Sequence, residues 1–326
     1  MKITIVYSGV VPSVRYGGVE RVLWGLAREL VARGHRVCFL VEKGSTCPFA
    51  EVRELRSGVP LAEQIPEDTD VVHLNDYVPA EGLTVPYVVT IHGNKPPEPL
   101  DPNSIFVSRN HAERFGSTSY VYNGIDWSSY STPVLSGRRS YFHFLGNAAW
   151  KVKNVVGAVE TIRKIPDGRL KVLGGYRFNF KMGWRFTFSP KARFYGMVDD
   201  TVKQQVIQGS RGLLFPVRWH EPFGLAIIES LYFGAPVFGT PYGSLPELVP
   251  SACGFLSNNS SLLAEHMEQA WDSYSPADCH EYAVELFNAK VMTDRYLEKY
   301  ARVLDGEVLT PHFGPRQPFE APLEWK

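Results

Sequence analysis

Cysteine is scarce in this chain, and none of it is paired in sequence. Cys38, Cys47, Cys253 and Cys279 are scattered through 326 residues with no C-x-x-C spacing. That scatter argues against a cysteine zinc site or a disulfide scaffold and favours a reducing compartment, by default the cytoplasm. Net charge is missing as well, since 34 Lys plus Arg stand against 34 Asp plus Glu. A general nucleic-acid binder would normally be basic. No apolar run approaches the roughly 18 residues that cross a bilayer. The opening MKITIVYSGVVPSVRYGG lacks the long apolar core of a signal peptide and reads as a first strand and loop. No H-E-x-x-H motif or histidine cluster suggests a metal site.

What is present is an ordinary apolar fraction, 44%, in a chain long enough for about two domains. KITIVYS, HRVCFLVE, DVVHLN, YVVTIH and SIFVS read as strands of a parallel sheet. Each is rich in Val, Ile or Phe and ends at polar or Gly residues. Between the first two, Val22, Leu23, Leu26, Leu30 and Val31 share one helical face, and Gly34 closes the helix. SRNHAERF reads as a short helix capped by Ser108. Residues 128–140 are rich in Ser, Pro, Gly and Arg, which places the domain boundary there.

The alternation restarts at YFHFLG and continues through KNVVGAVETIRKI, RLKVLGG, ARFYGMV, DDTVKQQVIQGS, RGLLFPV, GLAIIESLYFG and APVFGT. Asp199 and Asp200 read as an N-cap region. A late amphipathic helix is expected over about 281–304, then a packed tail. The expected fold class is α/β, with two Rossmann-like domains whose parallel sheets face each other across a cleft. The divisions are 1–136, 137–304 and a tail over 305–326. In such sheets ligands bind at the carboxyl ends of the strands.

The most informative stretch is RWHEPFGLAIIESLYFGAPVFGTPYGSLPELV, residues 218–249. A strand leads into the loop RWHEPFG and then a helix from about Leu225. Gly224 lets the backbone approach a ligand closely at that turn. The amides of Phe223, Gly224 and Leu225 lie at the helix start, where the dipole and unpaired N–H groups favour an anion such as a diphosphate. Glu221 precedes the turn and Glu229 lies just over one helical turn inside, so both flank one pocket. Carboxylates in such places suit sugar or ribose hydroxyls.

EPFGLAIIE resembles the Glu-x7-Glu signature of retaining, nucleotide-sugar-dependent glycosyltransferases of the GT-B fold, family 4 (glycosyl transferases group 1). GGVERVLWGLARELVARGH resembles the family's first glycine loop and helix. TIHG, SRNHAERFG and VYNGID resemble its later N-domain motifs. FLGNAAWKVKN resembles the strand and loop that open its C-domain, and FYGMVDD and GTPYGSLPELV fit the strands around the signature.

The resemblance implies roles residue by residue. Glu221 contacts the transferred sugar's hydroxyls, and Glu229 the nucleotide ribose. Lys153 best matches the lysine that neutralises the phosphates, with Lys151 as the near alternative. The family usually has Arg after the opening glycine, whereas Asn147 follows Gly146 here. Neutralisation then rests more heavily on lysine and amides. His92 matches a His facing the donor sugar and acceptor. Gly17 and Gly18 let the first loop approach donor phosphates or acceptor, although a plain tight turn reads nearly as well. Asn123 and Gly124 shape the interdomain turn, and His220 is divided between pocket lining and packing. No cofactor and no metal is expected. The donor is a UDP or GDP sugar, with UDP ahead on family frequency.

Asp68-Thr69-Asp70 has the D-x-D spacing that GT-A enzymes use for manganese, but it precedes an apolar run and reads as a strand-entry loop. Residues 176–194 carry Arg177, Lys181, Arg185, Lys191 and Arg193 among many aromatics, with no acid. Such a segment suits an anionic membrane at the inner face or an acidic acceptor. An exposed loop or short helix with its aromatics packed inward is slightly favoured. The alternative functions are a GT-B-fold sugar-nucleotide 2-epimerase and a non-catalytic sugar-nucleotide-binding protein.

Overall fold

The computed structural model describes every residue except 13–16, 76–77, 96–97, 180–184 and 319–320. It consists of two compact α/β units.

The first unit carries six parallel strands: β1 (Lys2–Tyr7), β2 (Arg36–Val41), β3 (Glu51–Glu54), β4 (Val71–Asn75), β5 (Tyr87–Ile91) and β6 (Ser104–Phe106). Their order is β3-β2-β1-β4-β5-β6, with Ile5 in register with Phe39 on one side and His73 on the other. The inner strands are buried on both faces, which is why they read as unbroken apolar runs. Helix α1 (Gly18–Ala32) turns Val22, Leu23, Leu26 and Leu30 inward. The chain leaves it through Gly34 at φ 83°, a conformation that glycine adopts without strain. Helix α2 (Arg109–Arg114) is capped by Ser108, whose hydroxyl accepts from the His111 amide at 3.1 Å. Asp68-Thr69-Asp70 is tied into the strand entry. Asp68 accepts from the Lys2 ammonium at 2.5 Å, Asp70 from the Lys2 amide at 2.7 Å, and Thr69 bonds Thr4 at 2.8 Å.

The second unit repeats the architecture. Its elements are β7 (Tyr141–Leu145), α3 (Val155–Lys164), β8 (Leu170–Leu173), β9 (Phe178–Asn179), β10 (Arg185–Phe186), β11 (Ala192–Phe194), α4 (Asp200–Gln208), β12 (Ser210–Phe215), α5 (Leu225–Tyr232), β13 (Val237–Gly239), α6 (Leu245–Leu248), β14 (Gly254–Leu256), α7 (Ser260–Ala270) and α8 (Pro276–Leu286). The parallel sheet runs β11-β8-β7-β12-β13-β14. Phe142, Phe144, Val159, Ile162, Val172, Leu214, Phe238 and Met267 pack against one another in its core, each contributing about 1.5–3 kcal/mol by leaving water. Asp199 caps α4 by accepting from the Val202 amide at 2.9 Å. His143 on β7 ties the sheet to α5. Its ring nitrogens lie 2.7 Å from Ser210 Oγ and 2.9 Å from Ser230 Oγ, and burial pushes its pKa down to about 3.

The chain then returns to the first unit through α9 (Ala289–Leu304). Three expectations are corrected here. Residues 287–318 belong to the first unit, not to the second domain and a separate tail. Tyr300 reaches His73 Nδ1 at 2.7 Å and Tyr296 reaches Thr90 Oγ1 at 3.1 Å, so the apolar face of α9 fits the first sheet. The single helix over 281–304 is two helices, because Asn288 is extended and caps α9 by accepting from the Val291 amide at 2.8 Å. The boundary lies at 127/128 rather than 136/137, since Ser131 and Val134 give their amides to Gln204 and Gln208 of α4 at 2.8 and 2.9 Å. Gly124 sits where the chain returns. A Cβ there would lie 2.2 Å from the Asn288 carbonyl oxygen, so only glycine fits.

Residues 176–194 also differ from the favoured expectation. Strands β9 and β10 pair as an antiparallel ribbon, and Phe178, Phe186 and Phe188 face outward, 56%, 55% and 67% exposed. A two-stranded ribbon has an outer face with no second layer to cover it. Lys181 lies outside the described residues.

Candidate functional site

Parallel strands end together at one edge of their sheet, so the loops after β7, β8, β12 and β13 emerge side by side. After β7 the chain passes Gly146 and meets Gly174 at the exit of β8, where the Ala148 amide donates to the Gly174 carbonyl at 2.9 Å. Gly174 has φ 103°, and a Cβ on it would lie 2.4 Å from the Gly146 oxygen. Asn147 shapes this loop with its side chain, accepting from the Ala149 amide at 3.0 Å. A 3₁₀ turn over Lys151–Lys153 follows, and then Asn154, left-handed at φ 56°, caps α3.

That turn is fastened to the exit of β12. The Asn154 amide side chain donates to the Pro216 carbonyl at 3.0 Å, and the Arg218 amide donates to the Val152 carbonyl at 2.7 Å. Lys153 is thereby delivered beside Glu221. Its Nζ lies 2.6 Å from Glu221 Oε2, and the Trp219 indole N–H donates to the same oxygen at 2.7 Å. The ammonium also lies 5.0 Å from the Trp219 ring centre and 5.2 Å from that of Phe215. Both side chains are largely buried, 12% and 7% exposed. Lys151 is exposed at the other end of the turn, so the structure brings Lys153, and not Lys151, to Glu221.

The loop holding Glu221 is packed backbone to backbone against the loop after β13. The Ser244 amide donates to the Glu221 carbonyl at 2.9 Å, and its hydroxyl donates to the Phe223 carbonyl at 2.6 Å. A Cβ on Gly243 would lie 2.2 Å from Glu221 N. Gly224 is the N-cap of α5, at φ 87° and ψ 75°, and no side chain caps this helix. Gly224, Leu225 and Ala226 are part-exposed. Phe223 is buried. His220 lies beside Tyr242, ring centres 6.3 Å apart.

Glu229 is on α5 and buried, where it accepts hydrogen bonds from Lys203 of α4 and from Tyr130. Sequence reading missed both partners. The signal for Lys203 is its spacing: it falls on the helical face of Val206 and Ile207, where a lysine is unexpected. Tyr130 leaves no such signal, because it lies in an unpatterned stretch.

In the first unit, His92 follows β5 and its Nε2 lies 3.0 Å from Asn75 Oδ1 at the end of β4. Asn75 in turn donates to the carbonyls of Val6 and His73 at 3.2 and 3.3 Å. The exits of β1, β4 and β5 are thus joined at the same edge. Gly17 is the extended N-cap of α1 and Gly18 its first residue. Neither has a positive φ, so both fit a plain helix start.

Among the described residues no group of three His, Cys, Asp or Glu side chains is placed to hold a metal ion. No helix among them is long and apolar enough to cross a membrane.

A family model described as glycosyl transferases group 1 matches residues 139–273, and one described as glycosyltransferase family 4 matches residues 16–127. No curated protein matches the chain. Among solved structures, AviGT4, a glycosyltransferase involved in avilamycin A biosynthesis, superposes with a TM-score of 0.77 at 20% identity, over 94% of this chain and 98% of its own. Sucrose-phosphate synthase from Thermosynechococcus elongatus gives 0.72 at 17% identity, over 94% and 100%. HepE of Anabaena, solved in complex with UDP-glucose, gives 0.65 at 16% identity, over 92% and 99%. At such identities the likeness speaks to the fold. The two family matches fall one in each α/β unit and together take in most of the chain, and the protein belongs to the family 4 type of glycosyltransferases with the GT-B fold.

Proposed function

We propose that this chain moves a sugar from a nucleotide-diphosphate sugar to an acceptor hydroxyl, with retention at the anomeric carbon and without a divalent metal or other cofactor. The observation that carries this reading is the placement of Lys153 Nζ 2.6 Å from Glu221, in the loop that leads to the uncapped start of α5. A diphosphate seated on the Gly224 and Leu225 amides meets the helix dipole and the ammonium together. When the bond from the anomeric carbon to the phosphate oxygen breaks, its electron pair leaves with the diphosphate. Preorganised donors stabilise that charge. The oxocarbenium-like sugar is attacked from the face that the diphosphate leaves, and the acceptor's proton passes to the leaving phosphate. Glu221 holds sugar hydroxyls and Glu229 the ribose. Gly146 and Asn147 shape the phosphate side of the pocket, and Phe223 and His220 line it. In the first unit, His92 is assigned a catalytic role toward the donor sugar and acceptor, and Gly17 and Gly18 are assigned to the approach of the donor phosphates or acceptor. UDP is placed ahead of GDP, and the UDP-glucose complex of HepE supports that order.

The test is release of nucleoside diphosphate from UDP- and GDP-sugars in EDTA, with and without a panel of hydroxyl acceptors. Acceptor-dependent release that survives EDTA is expected. Release restored only by manganese would overturn the metal-free reading. Isomerised donor without acceptor would indicate an epimerase, and binding without release a non-catalytic protein.

We also propose a cytoplasmic protein that makes peripheral contact with anionic lipid through residues 176–194. The outward Phe178, Phe186 and Phe188 support it. So does a cavity of about 520 Å³ that the end of this segment helps to line, with Lys191 and Arg193 beside Arg169 and Lys171 against one acid, Asp167. Co-sedimentation with phosphatidylglycerol vesicles, but not with phosphatidylcholine vesicles, is expected. Equal recovery on both would remove the idea.

A further inference from the structure

Glu229 is held from two sides. The Lys203 ammonium and the Tyr130 hydroxyl both donate to its Oε1. Lys203 is 7% exposed and Glu229 5%. The same ammonium meets Asp200 Oδ1 at 3.0 Å and lies 5.3 Å from the Tyr130 ring centre. Apolar side chains would fill this space at less cost, because charges taken out of water are repaid only by well-made partners. α4 nevertheless turns Lys203 inward beside Val206 and Ile207. Both donors use Oε1, and among the described residues none reaches Oε2. One oxygen is anchored and the other is left for a donor from outside.

We propose that Lys203 and Tyr130 are positioning residues for Glu229, and that they set the preference for ribose over 2′-deoxyribose in the donor nucleoside. This rests on the reading that Glu229 meets the ribose. With two donors on Oε1, the carboxylate cannot rotate without breaking both bonds, so Oε2 accepts from a hydroxyl arriving at one place. Hydrogen bonds to a charged acceptor are the stronger kind and the most sensitive to such placement.

The experiment is calorimetric titration of the full chain with UDP, 2′-deoxy-UDP and pyrophosphate, or with the guanosine pair where UDP does not bind. The parent is expected to prefer the ribonucleotide by about tenfold or more. Glu229→Gln and Lys203→Met are each expected to erase most of that preference, and Tyr130→Phe part of it. Pyrophosphate affinity stays at the parental value in all three, whereas a merely structural role would weaken all ligands together. Lys203→Met leaves a buried carboxylate without its cation, so Tyr130→Phe, which keeps the Lys203–Glu229 pair and removes only a hydroxyl, carries the test where Lys203→Met does not fold. If Lys203→Met, or Tyr130→Phe where Lys203→Met does not fold, keeps the full preference while Glu229→Gln loses it, the positioning role is overturned and the ribose assignment stands. If the parent shows no preference, or Glu229→Gln keeps it, the ribose assignment falls and this inference falls with it.

Discussion

Lys153 Nζ and Glu221 Oε2 lie 2.6 Å apart although 68 residues separate them in sequence. The lysine comes from the loop after β7 and the glutamate from the loop after β12, two neighbouring strands of the second sheet. The pair is mostly buried, so neither charge can be removed without leaving the other poorly solvated. A diphosphate and a sugar hydroxyl would satisfy the two ends separately, which fits a pair that exchanges partners on binding.

Lys153→Ala and Glu221→Gln are therefore expected to lower turnover about 100-fold or more, the scale of losing one preorganised charge stabiliser. Lys151→Ala, at the exposed end of the same turn, should stay near the parental rate. Steady-state rates of nucleoside diphosphate release make the comparison. A Lys151→Ala loss as large as that of Lys153→Ala would reverse the assignment of the two lysines.

Breaking the pair also has a stability consequence. Removing one partner of a buried pair costs about 3–5 kcal/mol, while removing both with apolar or neutral groups costs less. Lys153→Met and Glu221→Gln should each melt below the parent, and Lys153→Met/Glu221→Gln should lose less than the two single losses added together. Thermal melts of the four proteins read this directly. Additive losses would show that the two side chains are not coupled.

Gly224→Ala tests the helix start. At φ 87° a side chain is strained, and the new Cβ would sit 3.1 Å from Ile227 Cδ1 and 3.3 Å from Glu221 Cγ. The left-handed conformation alone costs about 1–2 kcal/mol. A lower melting temperature and a weaker pyrophosphate affinity are expected together. Loss of stability with unchanged affinity would show that the turn does not hold the anion.

Stability should fall in acid because of buried imidazoles. Burial pushes His73, His111 and His143 from 6.5 down to about 3. Their folded pKa values lie below the unfolded ones, so the unfolded chain binds more protons between about 3 and 6.5. Their contribution is complete above 6.5 and is lost as pH falls through that window, by about 1.4 kcal/mol per pH unit for each ring. Urea midpoints at pH 7 and pH 5 measure the slope, and His143→Gln should flatten it. An unchanged midpoint between those two values would contradict the burial of these rings.

Local signals in the sequence carried much of the fold. The apolar runs became strands because each inner strand is buried on both faces, and Ser108 and Asp199 cap the helices they precede. The spacing of Glu221, Gly224 and Glu229 was visible because a loop and a helix start keep near neighbours together. What stayed hidden is long-range. The apolar face of α9 suits either sheet in composition, and only the fit of Tyr296 and Tyr300 to Thr90 and His73 decides where it docks. Lys203 and Tyr130 meet Glu229 through tertiary contacts that no periodicity encodes. The ribbon's phenylalanines looked like core residues because composition does not say whether a covering layer exists.

The most direct measurement is a crystal of the full chain soaked with UDP in EDTA. Diphosphate density within hydrogen-bond reach of the Leu225 amide and of Lys153 Nζ is the expected result. Density elsewhere on the chain, or density that appears only when manganese is added and is held by aspartates, would contradict a metal-free grip by Lys153 and the start of α5.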